Sequence, residues 1–139
     1  MVNHRMSVAL HILSLIALTE QKEQLTSDWI AARVNTNPVV IRRLIASLNK
    51  AGLVKAGRGL KGLTLTKETD QITLLEVYRA VSPDHELFSI YEEHHTSCQI
   101  GRNLKGNLRE VYDTLQNKME HELAQITLSM VVDQSCLER

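Results

Sequence analysis

The stretch that most constrains this chain is Thr36 to Thr66, TNPVVIRRLIASLNKAGLVKAGRGLKGLTLT. Asn37 is a good helix N-cap, and Pro38 suits the first helical position, where an N–H would go unpaired anyway. Ile41, Leu44, Ile45 and Leu48 recur at helical spacing, so one face of this helix expects burial. Gly52 can adopt the positive φ that ends a helix, and Lys50 in the last turn suits the helix dipole. Two short alternating runs, Leu53 to Lys55 and Leu63 to Thr66, flank Gly57-Arg58-Gly59-Leu60-Lys61-Gly62, which predicts a hairpin with a flexible basic tip. From Arg33 to Lys67 the charged residues are Arg33, Arg42, Arg43, Lys50, Lys55, Arg58, Lys61 and Lys67, with no Asp or Glu among them. A basic helix followed by a basic hairpin suits double-stranded nucleic acid as partner.

Net charge alone hides this, because 16 basic and 16 acidic residues sum to zero. The distribution is uneven: beyond Val81 the acidic residues outnumber the basic ones, so one part of the chain is basic and the other acidic. At 139 residues and 43% hydrophobic, the chain is expected to form one globular domain with a real core. Cys98 and Cys136 are its only cysteines, too few for a disulfide framework, and there is no CxxC pair. The opening MVNHRMSVALHILSLIAL is broken by Ser7, His11 and Ser14 and lacks a small-residue cleavage site, so no signal peptide is expected. No stretch approaches the roughly 20 apolar residues of a membrane span, and a cytoplasmic location is the expectation.

Taken in order, the periodicity predicts a first helix over about Asn3 to Thr19, with Met6, Ala9, Leu10, Leu13, Ile16 and Ala17 as its stripe. Thr26 or Ser27 then caps a short helix, SDWIAARV, with Trp29, Ile30 and Val34 inward and Asp28 in the first turn. Asn35 and Thr36 connect it tightly to the helix begun at Asn37, in the manner of a helix-turn-helix. After the hairpin, Thr73 and Glu76 form a capping box for LLEVYRAV. His85 to Gln99 has no clean period and is read as irregular. From Asn103 to about Val132, Leu104, Leu108, Val111, Leu115, Met119, Leu123, Ile126 and Met130 step by threes and fours, predicting one long helix. At 1.5 Å per residue it would span roughly 45 Å, more than a small domain needs, and it is expected to meet its mate in a second subunit.

On the Pro38 helix the outward residues are Val39, Val40, Arg42 and Arg43, followed by Ser47 and Asn49. Arginine offers a planar fork of donors to guanine or phosphate, and a valine can meet a thymine methyl. Thr36 and Asn37 can reach phosphate or base edges, although Asn37 as a cap alone is an equal reading. Arg58 and Lys61, on a glycine-rich tip, can approach a DNA backbone or minor groove. No GxxxxGK[ST] is present, so a nucleotide-phosphate loop is not expected. His94, His95 and Cys98, beside Glu92 and Glu93, are metal-capable, but their spacing matches no common zinc finger and no metal is expected. Cys98 is a candidate redox-sensing thiol; the alternative is a buried apolar cysteine. GxSxG, HExxH and paired carboxylates in a glycine-rich context are absent, so the chain is not expected to be an enzyme.

The segments RMSVALHILSLIAL, SDWIAARVNTNPVVIRRLIASLNKAGLVKAGRGLKG and ITLLEVYRAV resemble a family of winged-helix bacterial regulators. That family includes the iron–sulfur cluster regulator, the nitric-oxide-sensitive repressor and the cysteine-metabolism repressor. The resemblance covers nearly the whole chain, and its most specific piece is LNKAGLVKAGRG followed by ITLLEVYRAV. It implies a mainly α, winged helix-turn-helix fold, with Pro38 to Asn49 as recognition helix, Gly57 to Gly62 as wing and a long C-terminal dimerisation helix. On this plan residues 1–82 are the DNA-binding part, 83–102 an effector or sensor loop and 103–133 the dimerisation helix. Cluster-binding members carry three closely spaced cysteines before the long helix, where this chain has only Cys98, so it resembles a cluster-free branch without cofactor. The expected function is a homodimeric, sequence-specific DNA-binding repressor reading a pseudo-palindrome and answering to an oxidant or small molecule. The competing expectation is a winged-helix protein-interaction adaptor that does not bind DNA.

Overall fold

The computed structural model describes residues 4–57, 62–82, 86–91 and 98–136, and for 134–136 the backbone alone. Helices α1 (Arg5–Leu18), α2 (Ser27–Val34) and α3 (Pro38–Lys50) lead into the antiparallel pair β1 (Val54–Ala56) and β2 (Leu63–Leu65). Helices α4 (Leu74–Val81), α5 (Gln99–Gln125) and α6 (Leu128–Cys136) complete the chain, with single 3-10 turns at Lys22–Gln24 and Thr69–Gln71.

One core joins the first four helices and the hairpin. Ala9, Ile12, Leu13 and Ile16 of α1 meet Ile30 and Ala31 of α2, Ile41, Leu44 and Leu48 of α3, and Val77 and Val81 of α4. Leu53, Val54, Leu63 and Ile72 close it around the hairpin. Each fully buried Ile or Leu contributes about 1.5–3 kcal/mol relative to exposure, so these residues hold α2 and α3 at a set angle. Of the expected inward residues of α2, Ile30 is buried, whereas Trp29 and Val34 pack at the core's edge.

The capping residues act as the sequence suggests. Thr26 Oγ1 accepts from the Trp29 N–H at 3.1 Å, and Asn37 Oδ1 accepts from the Val39 N–H at 2.7 Å. The turn between α2 and α3 passes through Asn35 at φ 64°, a left-handed position asparagine tolerates. At the end of α3, Gly52 has φ 78°, its N–H bonds the Asn49 carbonyl and the Leu53 N–H bonds the Leu48 carbonyl at 3.0 Å. This Schellman stop takes up the Leu53 N–H and buries its side chain, so β1 starts at Val54 rather than Leu53. The capping box between Thr73 and Glu76 is present in full.

The expected single helix from Asn103 to Val132 is corrected at both ends. Its first turn begins at Gln99, with Cys98 as N-cap, and it stops at Gln125. Ile126 and Thr127 leave helical geometry to pair with the segment before α4: Thr73 and Thr127 form an antiparallel bridge, the Leu74 N–H bonds the Ile126 carbonyl and the Leu128 N–H bonds the Ile72 carbonyl, each at 2.8 Å. Both residues are β-branched and suit the extended backbone. The break turns α6 back onto the amino-terminal body, where Leu128 and Val132 are buried with α1 and Ile72. Residues 103–133 are therefore two elements with different partners.

Candidate nucleic-acid interface

Burial of Ile41, Leu44 and Leu48 decides which side of α3 faces out. That outer side carries Arg42 and Arg43, both exposed, and Val39 and Val40 at 41% and 38% exposure. No acidic residue lies in the first turn, or anywhere else on α3. Two half-exposed valines beside two arginines, unaccompanied by any acid, form a surface suited to a polyanion that also offers methyl groups.

The two residues before α3 serve the turn itself. Thr36 is half-buried and its N–H bonds the Ala31 carbonyl at 3.0 Å, while Asn37 spends one side-chain acceptor on the cap. The Asn37 amide group remains at the exposed helix N-terminus beside Val39.

The hairpin is tied to the end of α3. Asn49 Nδ2 donates to the Val54 carbonyl at 3.2 Å, Thr66 Oγ1 donates to the Gly52 carbonyl at 2.5 Å, and the β1–β2 register pairs Val54 with Leu65 and Ala56 with Leu63. Lys55 points out from β1. Arg58 and Lys61, expected at the tip, lie outside the described residues, as do His94 and His95.

A contact that sequence reasoning did not find fixes the base of this hairpin. Gly62 has φ 65°, and a Cβ there would lie 1.8 Å from the Lys22 carbonyl oxygen. Lys22, in turn, donates its ammonium to the Ile16 carbonyl at the end of α1. Gly62 thus permits a close backbone approach, which no local pattern announces because Lys22 lies far back in the chain.

Two residues of the basic stretch, and Arg5 outside it, are engaged within the fold. Arg33 lies over the Trp29 ring, 3.5 Å from its centroid, and donates to the Trp29 carbonyl at 3.2 Å. Lys67 pairs with Glu76 at 2.7 Å. Burial pushes the Glu76 carboxyl up, but the Lys67 ammonium and the N–H and hydroxyl of Thr73 outweigh it and hold the group below the ordinary glutamate range. Arg5, near the start of α1, donates from Nε to the Val81 carbonyl at 2.7 Å, tying α1 to the end of α4.

Cys98 is exposed rather than buried, and its side chain caps nothing. The Cys136 side chain falls outside those described.

The chain is 43% identical over 133 residues to a relative from Bacillus subtilis (strain 168) that carries the provisional name HTH-type transcriptional regulator YwnA, covering 96% of this chain and 98% of that one. A second from the same strain, provisionally named HTH-type transcriptional regulator YwgB, is 31% identical over 143 residues, covering 96% and 88%. A crystal structure provisionally described as a DNA-binding protein superposes with a TM-score of 0.75 at 40% identity, covering 91% of this chain and 97% of that one. CymR, the global cysteine regulator of B. subtilis, shares the fold at a TM-score of 0.65 and 20% identity, covering 96% of each chain. Residues 2–134 match Rrf2, described as an iron-dependent transcriptional regulator. The residues here do not suit an iron–sulfur cluster held by thiolates of one chain: the sequence has two cysteines in all, and among the described residues no three His, Cys, Asp or Glu side chains converge. With its helix-turn-helix, its hairpin and a match along nearly its whole length, the chain belongs to the Rrf2 family of transcriptional regulators.

Proposed function

We propose that this protein is a homodimeric repressor that reads a pseudo-palindromic operator, inserting α3 into the major groove and laying its hairpin along the flanking backbone. The observation that carries the reading is the sidedness of α3: three apolar residues buried on one face, Val39, Val40, Arg42 and Arg43 outward, and no acid between Arg33 and Lys67. In this reading Arg42 and Arg43 contact guanine edges or phosphates, Val39 and Val40 meet thymine methyls, and Thr36 and Asn37 approach the backbone at the helix start. Arg58 and Lys61 neutralise phosphates from the hairpin tip.

One α3 would read only a few base pairs, and α5 supplies the means of pairing two. Its 27 residues span about 40 Å, none is buried, and Leu104, Val111 and Leu115 remain exposed along one stripe. A second copy of α5 would cover that stripe and set the half-sites about one helical turn or a multiple apart.

The protein acts on transcription rather than as an enzyme, a reading its family supports. No helix among the described residues is long and apolar enough to cross a membrane, and a cytoplasmic site of action accords with that. Selection of bound fragments from genomic DNA, followed by titration of the enriched site across salt concentrations, tests the proposal. The expected result is an inverted-repeat motif whose affinity falls steeply with salt. Salt-independent or absent binding to every fragment would instead mark an adaptor.

A further inference from the structure

A second surface, away from α3, has the build of a small-molecule site. Residues 86–91 form no regular structure but are fastened to the middle of α5 at two points. The Leu87 N–H donates to Gln116 Oε1 at 2.6 Å, and the Phe88 and Tyr112 rings lie 5.2 Å apart at 32°. Between segment and helix lies a cleft of about 280 Å³ whose walls include Glu86, Phe88, Arg109, Tyr112 and Asp113. That volume sits near the low end of ligand sites, so the occupant is small.

We propose that this cleft binds a zwitterion of the α-amino-acid class and that the bound molecule is the regulator's effector, the second part resting on the function proposed above. The chemistry of the walls selects the class. Arg109 presents a guanidinium fork for a carboxylate, Asp113 lies one turn further along the same face of α5 and presents a carboxylate for an ammonium, and Glu86 adds a second acid opposite. Phe88 and Tyr112 provide an apolar wall for a side chain. Arg109 and Asp113 make no ion pair among the described residues, although they stand four apart on one helix. A base preceding an acid is the weaker order for such a pair, which leaves both groups available to a ligand carrying the two opposite charges.

The cleft also has a route to the DNA-reading body. Gln116, which holds Leu87, donates to Tyr78 Oη at 3.2 Å and to Glu120 Oε2 at 2.8 Å, while Arg79 donates to Glu120 Oε1 at 2.7 Å. Tyr78 and Arg79 lie on α4, whose Val77 and Val81 share a core with Ile41, Leu44 and Leu48 of α3. A ligand that tightens residues 86–91 on α5 therefore acts on the same hydrogen bonds that seat α5 against α4.

The test is calorimetric titration of the full-length protein with L-leucine, L-methionine and L-phenylalanine, each beside its amide and its N-acetyl derivative. At least one free amino acid should bind, both of its capped forms should bind at least about tenfold more weakly, and Arg109→Gln and Asp113→Asn should each weaken binding by a similar factor with unfolding midpoints unchanged. Saturating amino acid should also shift operator affinity severalfold in the wild type and not in Arg109→Gln. No binding by any of the three at about 10 mM, equal binding of capped and free forms, or indifference to both substitutions would overturn the site. Operator binding without amino acid reads the regulator function separately: DNA binding with no amino-acid binding sinks this inference alone, and the reverse sinks the effector role while leaving the site.

Discussion

In α3, Ile41, Leu44 and Leu48 recur at the same threes and fours as Leu104, Leu108, Val111, Leu115 and Met119 in α5, yet the first set is buried and no residue of α5 is. The difference lies in what surrounds each helix. Helix α3 sits against α1, α2 and α4, whose own stripes complete a core, whereas α5 meets the body along α4, where Gln116 bonds Tyr78 and Arg79 bonds Glu120, and contributes no residue to that core. An apolar period thus states only that a face needs cover, and the neighbouring elements determine whether the same chain provides it. Charge follows the same division: α3 carries Arg42, Arg43 and Lys50 with no acid, while α5 mixes Glu110, Asp113, Glu120 and Glu122 among its bases.

The strongest challenge to this contrast is to charge the α5 stripe. Val111→Glu with Leu115→Glu should weaken self-association about a thousandfold or more, about 4 kcal/mol, while leaving the core-dependent circular dichroism of the body intact. Sedimentation velocity reads the outcome, and an unchanged dimer would place the interface elsewhere. The next largest effect concerns α6, which belongs with α3 in this comparison despite following α5. Leu128→Ala should cost about 3 kcal/mol of folding stability in urea titrations, since Leu128 is fully buried. A midpoint unmoved by that change would return α6 to the company of α5.

Arg42→Ala and Arg43→Ala sharpen the other side. Each should lose about 1–3 kcal/mol of operator affinity if it reads a base, or reduce the salt slope by about 1 if it holds a phosphate, with dimerisation untouched. Equal affinity and slope in both variants at matched salt would remove α3 as the reading helix. The smallest effect is electrostatic and belongs to the body. Because the folded Glu76 carboxyl is held below its ordinary value of 4.5, its contribution is present above that pH and is lost as pH falls through the depressed folded value. With the carboxylate side chain 37% exposed, the contribution stays under about 1 kcal/mol, and Glu76→Gln should flatten the acid limb of the stability curve by that amount.

Much of this architecture was legible before any fold was known. Thr26, Asn37, Gly52 and the Thr73–Glu76 box each act within a few residues of themselves, so their patterns survive whatever the rest of the chain does. The outward residues of α3 followed from its stripe for the same reason. The single helix expected from Asn103 to Val132 is broken where a distant segment intervenes. Ile126 continues the α5 period in sequence, but pairing with Ile72–Leu74 offers the backbone of Ile126 and Leu128 partners outside the helix, and burial of Leu128 and Val132 secures the break. Arg33 counts as one more cation in the sequence until Trp29 is found beneath it.

The sequence alone determined the helix boundaries set by caps, the sidedness of α3, the absence of acids from Arg33 to Lys67 and the lack of enough cysteines for a thiolate-held cluster. Each is a local or compositional property, carried by bonds and charges within a turn or two. Only the tertiary structure decided that Gly62 must abut the Lys22 carbonyl, that α6 folds back into the core, that Arg109 and Asp113 flank a cleft under Phe88, and that α5 keeps an uncovered stripe. Those depend on which surfaces meet, and non-local burial and hydrogen bonding settle that only once the whole chain has packed.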